Sequence, residues 1–344
     1  TILVSRATGP GGVGANGPSS LPHTPAAGRP VVFQSDADNL APLDDDLKTN
    51  VFMRDLATNE TLLVSREAGP AGGGADDNSG SATVSADGRF VAFASFADNL
   101  SNADNNAWRN IFVRDMVSHQ VTLASRASGG GGAAASGSSF FPRISADGGS
   151  VVFTSAAATL SPDANGKRQV YVRDLAAQTL TMASRRNGAT GAPGNDDSQN
   201  PHLSADGTLV AFGTYASNLT EIDDAVVVDV VARDLSTDQT TLVSQTSDGA
   251  PGSFDSRHPA VSGDRRFVAF ASEANNLSPL DNDIYVNIFR RQMVDDPPPP
   301  AGPESTDPQG APQSASPQAA SPSRRYRCAG RPATIVGTPK RDRI

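Results

Sequence analysis

The chain has 344 residues, 37% of them hydrophobic, with 32 Gly and 25 Pro, enough apolar material for a sizeable core but too many turn formers for long helices. Its formal charge of -9 and pI near 4.9 exclude the basic face that nucleic acid or an anionic membrane requires. No apolar run reaches the roughly 18–20 residues of a spanning helix, and the lone Cys328 has no partner for an internal disulfide.

TILVSR, residues 1–6, opens the chain as a short strand, with neither Met nor a visible leader before it. A sixteen-residue stretch then recurs: PAAGRPVVFQSDADNL from Pro25, SADGRFVAFASFADNL from Ser85, SADGGSVVFTSAAATL from Ser145, SADGTLVAFGTYASNL from Ser204 and SGDRRFVAFASEANNL from Ser262. The spacings of 60, 60, 59 and 58 residues define an internal repeat whose insertions are confined to loops.

Each unit reads as four strands. In the second, SGSATVS is extended, ADG turns, and RFVAFAS alternates as a half-buried strand. IFVRDM and VTLASR follow as a hairpin. The third strand recurs as VFMRDL, VYVRDL, VVARDL and IFRRQM, and the fourth as TLLVSR, LTMASR and TTLVSQ. Four-stranded antiparallel sheets repeated radially predict an all-β β-propeller. The fifth unit lacks a fourth strand, and TILVSR is of that type. The expectation is therefore five blades closed by the N-terminal strand, or six to eight if residues precede Thr1.

PRISADGGSVVF and PHLSADGTLVAF, each followed by I-[FY]-V-R-D-L-like strands, resemble the repeat of TolB-like (WD40-like) β-propellers. The resemblance covers residues 1–293 and implies the fold. Its members include protein-binding scaffolds and substrate gates of peptidases, so it implies no single function.

Residues 294–325, with DDPPPPAGPESTDPQGAPQSASPQAASPS, lack the large apolar side chains that repay ordering and read as a disordered Pro-rich linker. Residues 326–344 resemble the start of a haemolysin-type (RTX) calcium-binding repeat, with Gly337 and Asp342 at motif positions and Lys340 where Gly is expected. That half-repeat, cut off at its end, implies a piece of a longer calcium-binding tail.

Before each third strand lies an acidic loop with Asp at one place: Asp44, Asp104, Asp163, Asp223 and Asp281. Asp46, Asn106, Asn165 and Asp283 supply a second oxygen two residues on, and Ala225 breaks the series. Such alternation either opens a calcium loop or caps the turn through side-chain to backbone bonds. Ser19, Ser79, Ser139, Ser198 and Ser256 precede the first strands and are candidates for a ligand face near the channel mouth, or for turn formers. The Asp of each SADG is a hairpin-turn residue, and the Arg-Asp pairs of the third strands predict ion pairs between blades.

Catalysis needs asymmetric acid and base groups, and the first strands carry no carboxylate, only His23 and His202 at equivalent places with His258 nearby. The reading is a non-enzymatic binding or scaffold module, secreted or on the cell surface, with calcium as its possible cofactor. Its partner would be an extracellular protein or polysaccharide, engaged by Gly- and Asn-rich loops such as REAGPAGGGADDNS and RRNGATGAPGNDDS. The alternative is an extracellular glycan hydrolase or lyase.

Overall fold

The computed structural model describes residues 1–294 except 45, 46, 105, 223–226, 282 and 284, together with 327, 328, 331 and 332. The chain divides into two compact units, Thr1–Asp296 and Pro297–Ile344. In the second, only the short antiparallel pair β20 (Arg327–Cys328) and β21 (Arg331–Pro332) is described.

The first unit is all-β, as the repeat predicts. Sheet 1 is β1 (Ser19–His23), β2 (Val31–Ser35), β3 (Asn50–Asp55) and β4 (Glu60–Leu63). Sheet 2 is β5 (Ser79–Val84), β6 (Phe90–Ser95), β7 (Asn110–Asp115) and β8 (Val121–Leu123), and sheet 3 is β9 (Ser139–Ile144), β10 (Ser150–Ser155), β11 (Gln169–Asp174) and β12 (Thr179–Met182). Sheet 4 holds β13 (Ser198–Leu203), β14 (Leu209–Thr214), β15 (Asp229–Asp234) and β16 (Gln239–Leu242). Sheet 5 has three strands, β17 (Ser256–Val261), β18 (Phe267–Ser272) and β19 (Asn287–Gln292). Each is an antiparallel meander in chain order, with the first strand innermost and successive inner strands touching.

Strand alternation explains the packing, because each buried sheet uses both faces. One face of a sheet supplies Phe and the other supplies Val, Ile or Ala. Between sheets 1 and 2, Val32, Val51 and Met53 meet Val84, Val91, Phe93 and Phe112. The same exchange recurs at the next three gaps. Each fully buried apolar side chain contributes about 1.5–3 kcal/mol, so these gaps hold the arc together.

Arginine clamps add a second fastening. Arg54, Arg114, Arg173 and Arg233 are buried in the third strands. Arg114 Nη1 donates to the carbonyls of Arg66 (2.8 Å) and Glu67 (3.1 Å), in the loop that leaves the preceding sheet. Arg173 reaches Arg126 and Ala127 in the same way, and Arg233 reaches Arg186 and Gly188. The third-strand Arg and Asp therefore do not pair with each other across blades as predicted. The Arg spends its donors mainly on carbonyls, Arg233 also pairing with Asp238 of its own sheet at 2.7 Å, and the Asp caps its own turn, as Asp55 does for Ala57 N–H at 2.7 Å. A third-strand Asp does pair across the gap between sheets 4 and 5, where Arg265 of sheet 5 meets both Asp234 and Asp206 of sheet 4.

The N-terminal strand does not close a ring. Residues 1–4 carry no strand, and the outer edge of β19 has no fourth strand among the described residues. The reason lies in the clamp, since Arg54 holds the carbonyls of Ala7 and Gly9 and so ties the N-terminal loop to sheet 1. Val4 and Ala15 pack there against a core of Phe33, Phe52 and Leu63. Four packing steps, from sheet 1 to sheet 5, leave these two end sheets unjoined. Ile288 of β19 is 76% exposed, while its equivalents Val51, Ile111, Val170 and Val230 are 0% exposed.

Candidate functional site

The inner strands depart from regular β-structure at one place each. Register slips between Ser20 and His23, Gly80 and Thr83, Gln199 and His202, and Arg257 and Ala260, and correspondingly in β9. Two residues there face one on the partner strand, which defines a β-bulge. The first bulge residue is left-handed in every copy: Leu21 (φ 49°), Ser81 (55°), Phe141 (58°), Asn200 (51°) and His258 (54°). Non-Gly residues in this region carry about 1–2 kcal/mol of strain. The second is Pro22, Ala82, Pro142, Pro201 or Pro259, tolerated because the bulge position needs no ladder donor.

These strained positions carry a different residue in every repeat. Leu21 and Phe141 are exposed apolar groups, and Ser81, Asn200 and His258 offer three different polar chemistries. Around Ser81 and Phe140 a cationic and aromatic cluster has formed. Arg109 Nη2 donates to Ser81 Oγ at 3.1 Å. Its guanidinium lies 5.5 Å from the ring centroid of Phe140 and 5.9 Å from that of Phe96. Arg168 approaches Phe140 at 5.8 Å. Such contacts hold flat cations over ring faces, and burial lowers the Arg109 pKa. One turn of strand further, His23, Thr83, Arg143 and His202 occupy equivalent positions. Burial, together with the Arg143 charge, pulls the His202 pKa down to about 4 and lowers that of His23.

The predicted ligand-face serines lie elsewhere. Ser79, Ser139, Ser198 and Ser256 are buried, and three of these hydroxyls bond within their sheet: Ser79 to Ser95 at 2.8 Å, Ser198 to Thr214 at 2.9 Å and Ser256 to Ser272 at 2.9 Å. Ser19 is exposed and bonds to Ser35. They fasten the first strand to the second and do not form a mouth.

The acidic loops act as caps. Asn110 Nδ2 donates to both oxygens of Asp104 (3.1 and 3.0 Å), and Ser125 donates to Asn110 Oδ1 at 2.7 Å. Asn50 serves Asp44 at 3.0 Å, and Asn287 serves Asp281 at 3.2 Å. Asn106 Oδ1, Asn165 Oδ1 and Asp283 Oδ1 accept backbone N–H groups two residues on. Asp163 holds the Arg185 guanidinium at 2.5 Å, a cation where a metal would need open oxygen. Among the described residues no three His, Cys, Asp or Glu side chains are grouped as a metal site. Asp46, Asp223, Gly337 and Asp342 lie outside the described residues.

The Gly-rich loops share one backbone arrangement. Each is pinned by an antiparallel bridge, Arg6 to Gly14, Arg66 to Gly74, Arg126 to Ala134, Arg185 to Pro193 and Gln245 to Pro251. Gly9, Gly69, Gly129 and Gly188 take positive φ there, and each donates to the third-to-fourth-strand turn of the sheet it rests on, as Gly69 does to His119 at 2.8 Å. The sequence signal for the bulges was a Pro inside four of the five first strands, a residue that argues for a bulge.

No protein-family model matches the chain, and no curated protein matches it. Among solved structures it is similar to TolB from Acinetobacter baumannii, with a TM-score of 0.44 and 16% identity over 76% of this chain and 53% of that one. The putative TolB from Agrobacterium tumefaciens gives 0.45 and 14% over 80% and 78% of the two chains. An oligogalacturonate lyase in complex with manganese gives 0.44 and 14% over 76% and 64%. The chain thus spans about half the length of the first of these proteins.

Proposed function

We propose that the chain is a non-enzymatic recognition propeller whose ligand sits on the inner-strand face. One observation carries this reading: the fastening groups repeat from sheet to sheet, while the strained bulge residue changes from Leu21 to Ser81, Phe141, Asn200 and His258. Strain retained at positions that contribute no shared packing points to use rather than to stability. The five inner strands hold no Asp or Glu, so a paired-carboxylate mechanism has nothing to stand on there. Asp77 and Asp196, in the loops before β5 and β13, are engaged by Lys48 and Lys167.

The reading extends to an exported or surface-associated protein whose ligand is an extracellular protein or polysaccharide. The net charge of -9 suits such a setting. Calcium enters only through a tail beginning near Gly337 and Asp342, folded where calcium is abundant.

The test passes the full chain over polysaccharides and peptides and records retention and turnover separately. Retention without turnover is expected, weakened about tenfold or more by Phe141→Ala, since truncating an exposed aromatic anchor removes a large share of contact energy. Turnover abolished by Asp77→Asn or Asp196→Asn would make the protein a glycan hydrolase or lyase instead.

A further inference from the structure

One level of the inner strands gathers hydrogen-bond donors without a counter-charge. His23, Thr83, Arg143 and His202 stand opposite Val32, Ala92, Val152 and Ala211 in four successive sheets, and Ala260 takes the fifth place opposite Ala269. Although they come from sheets 1, 3 and 4, the charge of Arg143 acts on both imidazoles, and His23 acts on His202. The three groups lie within electrostatic reach of one another.

The tautomers are fixed by the next sheet. Val84 N–H donates to His23 Nδ1 at 3.3 Å, and Val261 N–H donates to His202 Nδ1 at 3.2 Å. An imidazole that accepts at Nδ1 carries its proton on Nε2, so both rings present an N–H donor. The Thr83 hydroxyl is buried and has no partner among the described residues. The Arg143 guanidinium makes no hydrogen bond or ion pair among the described residues, in a chain where 37 Asp and Glu outnumber 28 Lys and Arg.

Arg143 is exposed on its inner strand, and donors of this kind grouped together without a counter-charge are complementary to an oxyanion. We propose that Arg143, His23 and His202, with Thr83 beside them, form a site for the oxyanion of a ligand, a carboxylate or phosphate group. This rests on the inner-strand face being the recognition surface, and it narrows the ligand to one bearing such a group. An acidic protein surface repels anions elsewhere, which makes this level selective.

Four histidines in the chain allow each imidazole to be followed by NMR. The full chain is titrated with acid in sodium chloride, sodium acetate and sodium phosphate at matched ionic strength. Acetate or phosphate should raise the apparent pKa of His23 and His202 by about one unit or more, because a bound anion favours the imidazolium, and should leave His119 unmoved. Arg143→Met should remove most of the response. An acetate response alone assigns a carboxylate, and a phosphate response alone a phosphoryl group. His23 and His202 curves that superimpose in all three salts overturn the proposal, with no variant needed. In that event, a ligand retained through Phe141 would leave the recognition reading standing and only the oxyanion site lost.

Discussion

At the scale of single residues, the arginines of the third strands decide whether the sheets stay joined. Burial pulls the Arg114 and Arg173 pKa values down to about 10, still far above neutrality, so both remain charged and must keep their carbonyl partners. Arg114→Met leaves the Arg66 and Glu67 carbonyls unpaired, and at about 1–3 kcal/mol per lost buried partner it should lower the unfolding free energy by about 2–4 kcal/mol in urea titrations. Arg114→Lys should restore little, because an ammonium lacks the planar fork. His202 sets a pH dependence of the opposite character. Its pKa falls from 6.5 in the unfolded chain to about 4 in the fold, through burial and the neighbouring Arg143 and His23, so the unfolded chain binds more protons between these values. Its contribution to stability is complete above about 6.5 and declines as pH falls toward 4. His202→Asn should flatten that limb of the stability profile, measured by denaturant midpoints across pH.

At the scale of elements, the strands were legible and their irregularities were not. RFVAFAS and IFVRDM form strands as read, although both of their faces are buried, and the Asp-Gly turns form as read: Ser85 donates to Asp87 Oδ1 at 2.6 Å, and Arg89 N–H donates to the same oxygen. The bulges escaped because alternation alone has no symbol for a left-handed Leu or Phe, although Pro142 and Pro201 marked the spot. The ligand-face serines failed for a related reason, since sequence shows that a hydroxyl recurs but not which way it turns. Leu21→Gly and Phe141→Gly should change stability by no more than about 1 kcal/mol, the relief of left-handed strain offsetting lost packing and backbone entropy. Both should cost ligand retention. Chelator should leave the melting temperature of the propeller unchanged, because Asn50, Asn110 and Asn287 already engage Asp44, Asp104 and Asp281. A fall with chelator would return those loops to metal binding.

At the scale of the whole molecule, the period was legible and the closure was not. Repeats of 58–60 residues announce sheets of one kind, but the angle between sheets depends on how Phe93 seats against Val32 and Val51, which no single repeat records. Stability in such an array passes between nearest neighbours. Hydrogen exchange in the free protein should therefore be slowest in β10 and β11, with a sheet on either side, and fastest in β1 and β19, where one face is open. Exchange in the presence of a retained ligand then bears most directly on where recognition occurs. The account predicts added protection in peptides spanning residues 79–84, 139–144 and 198–203, with little change in the Gly-rich loops or the fourth strands. Protection confined to residues 67–78 and 186–197 would contradict it and place the ligand on the loops.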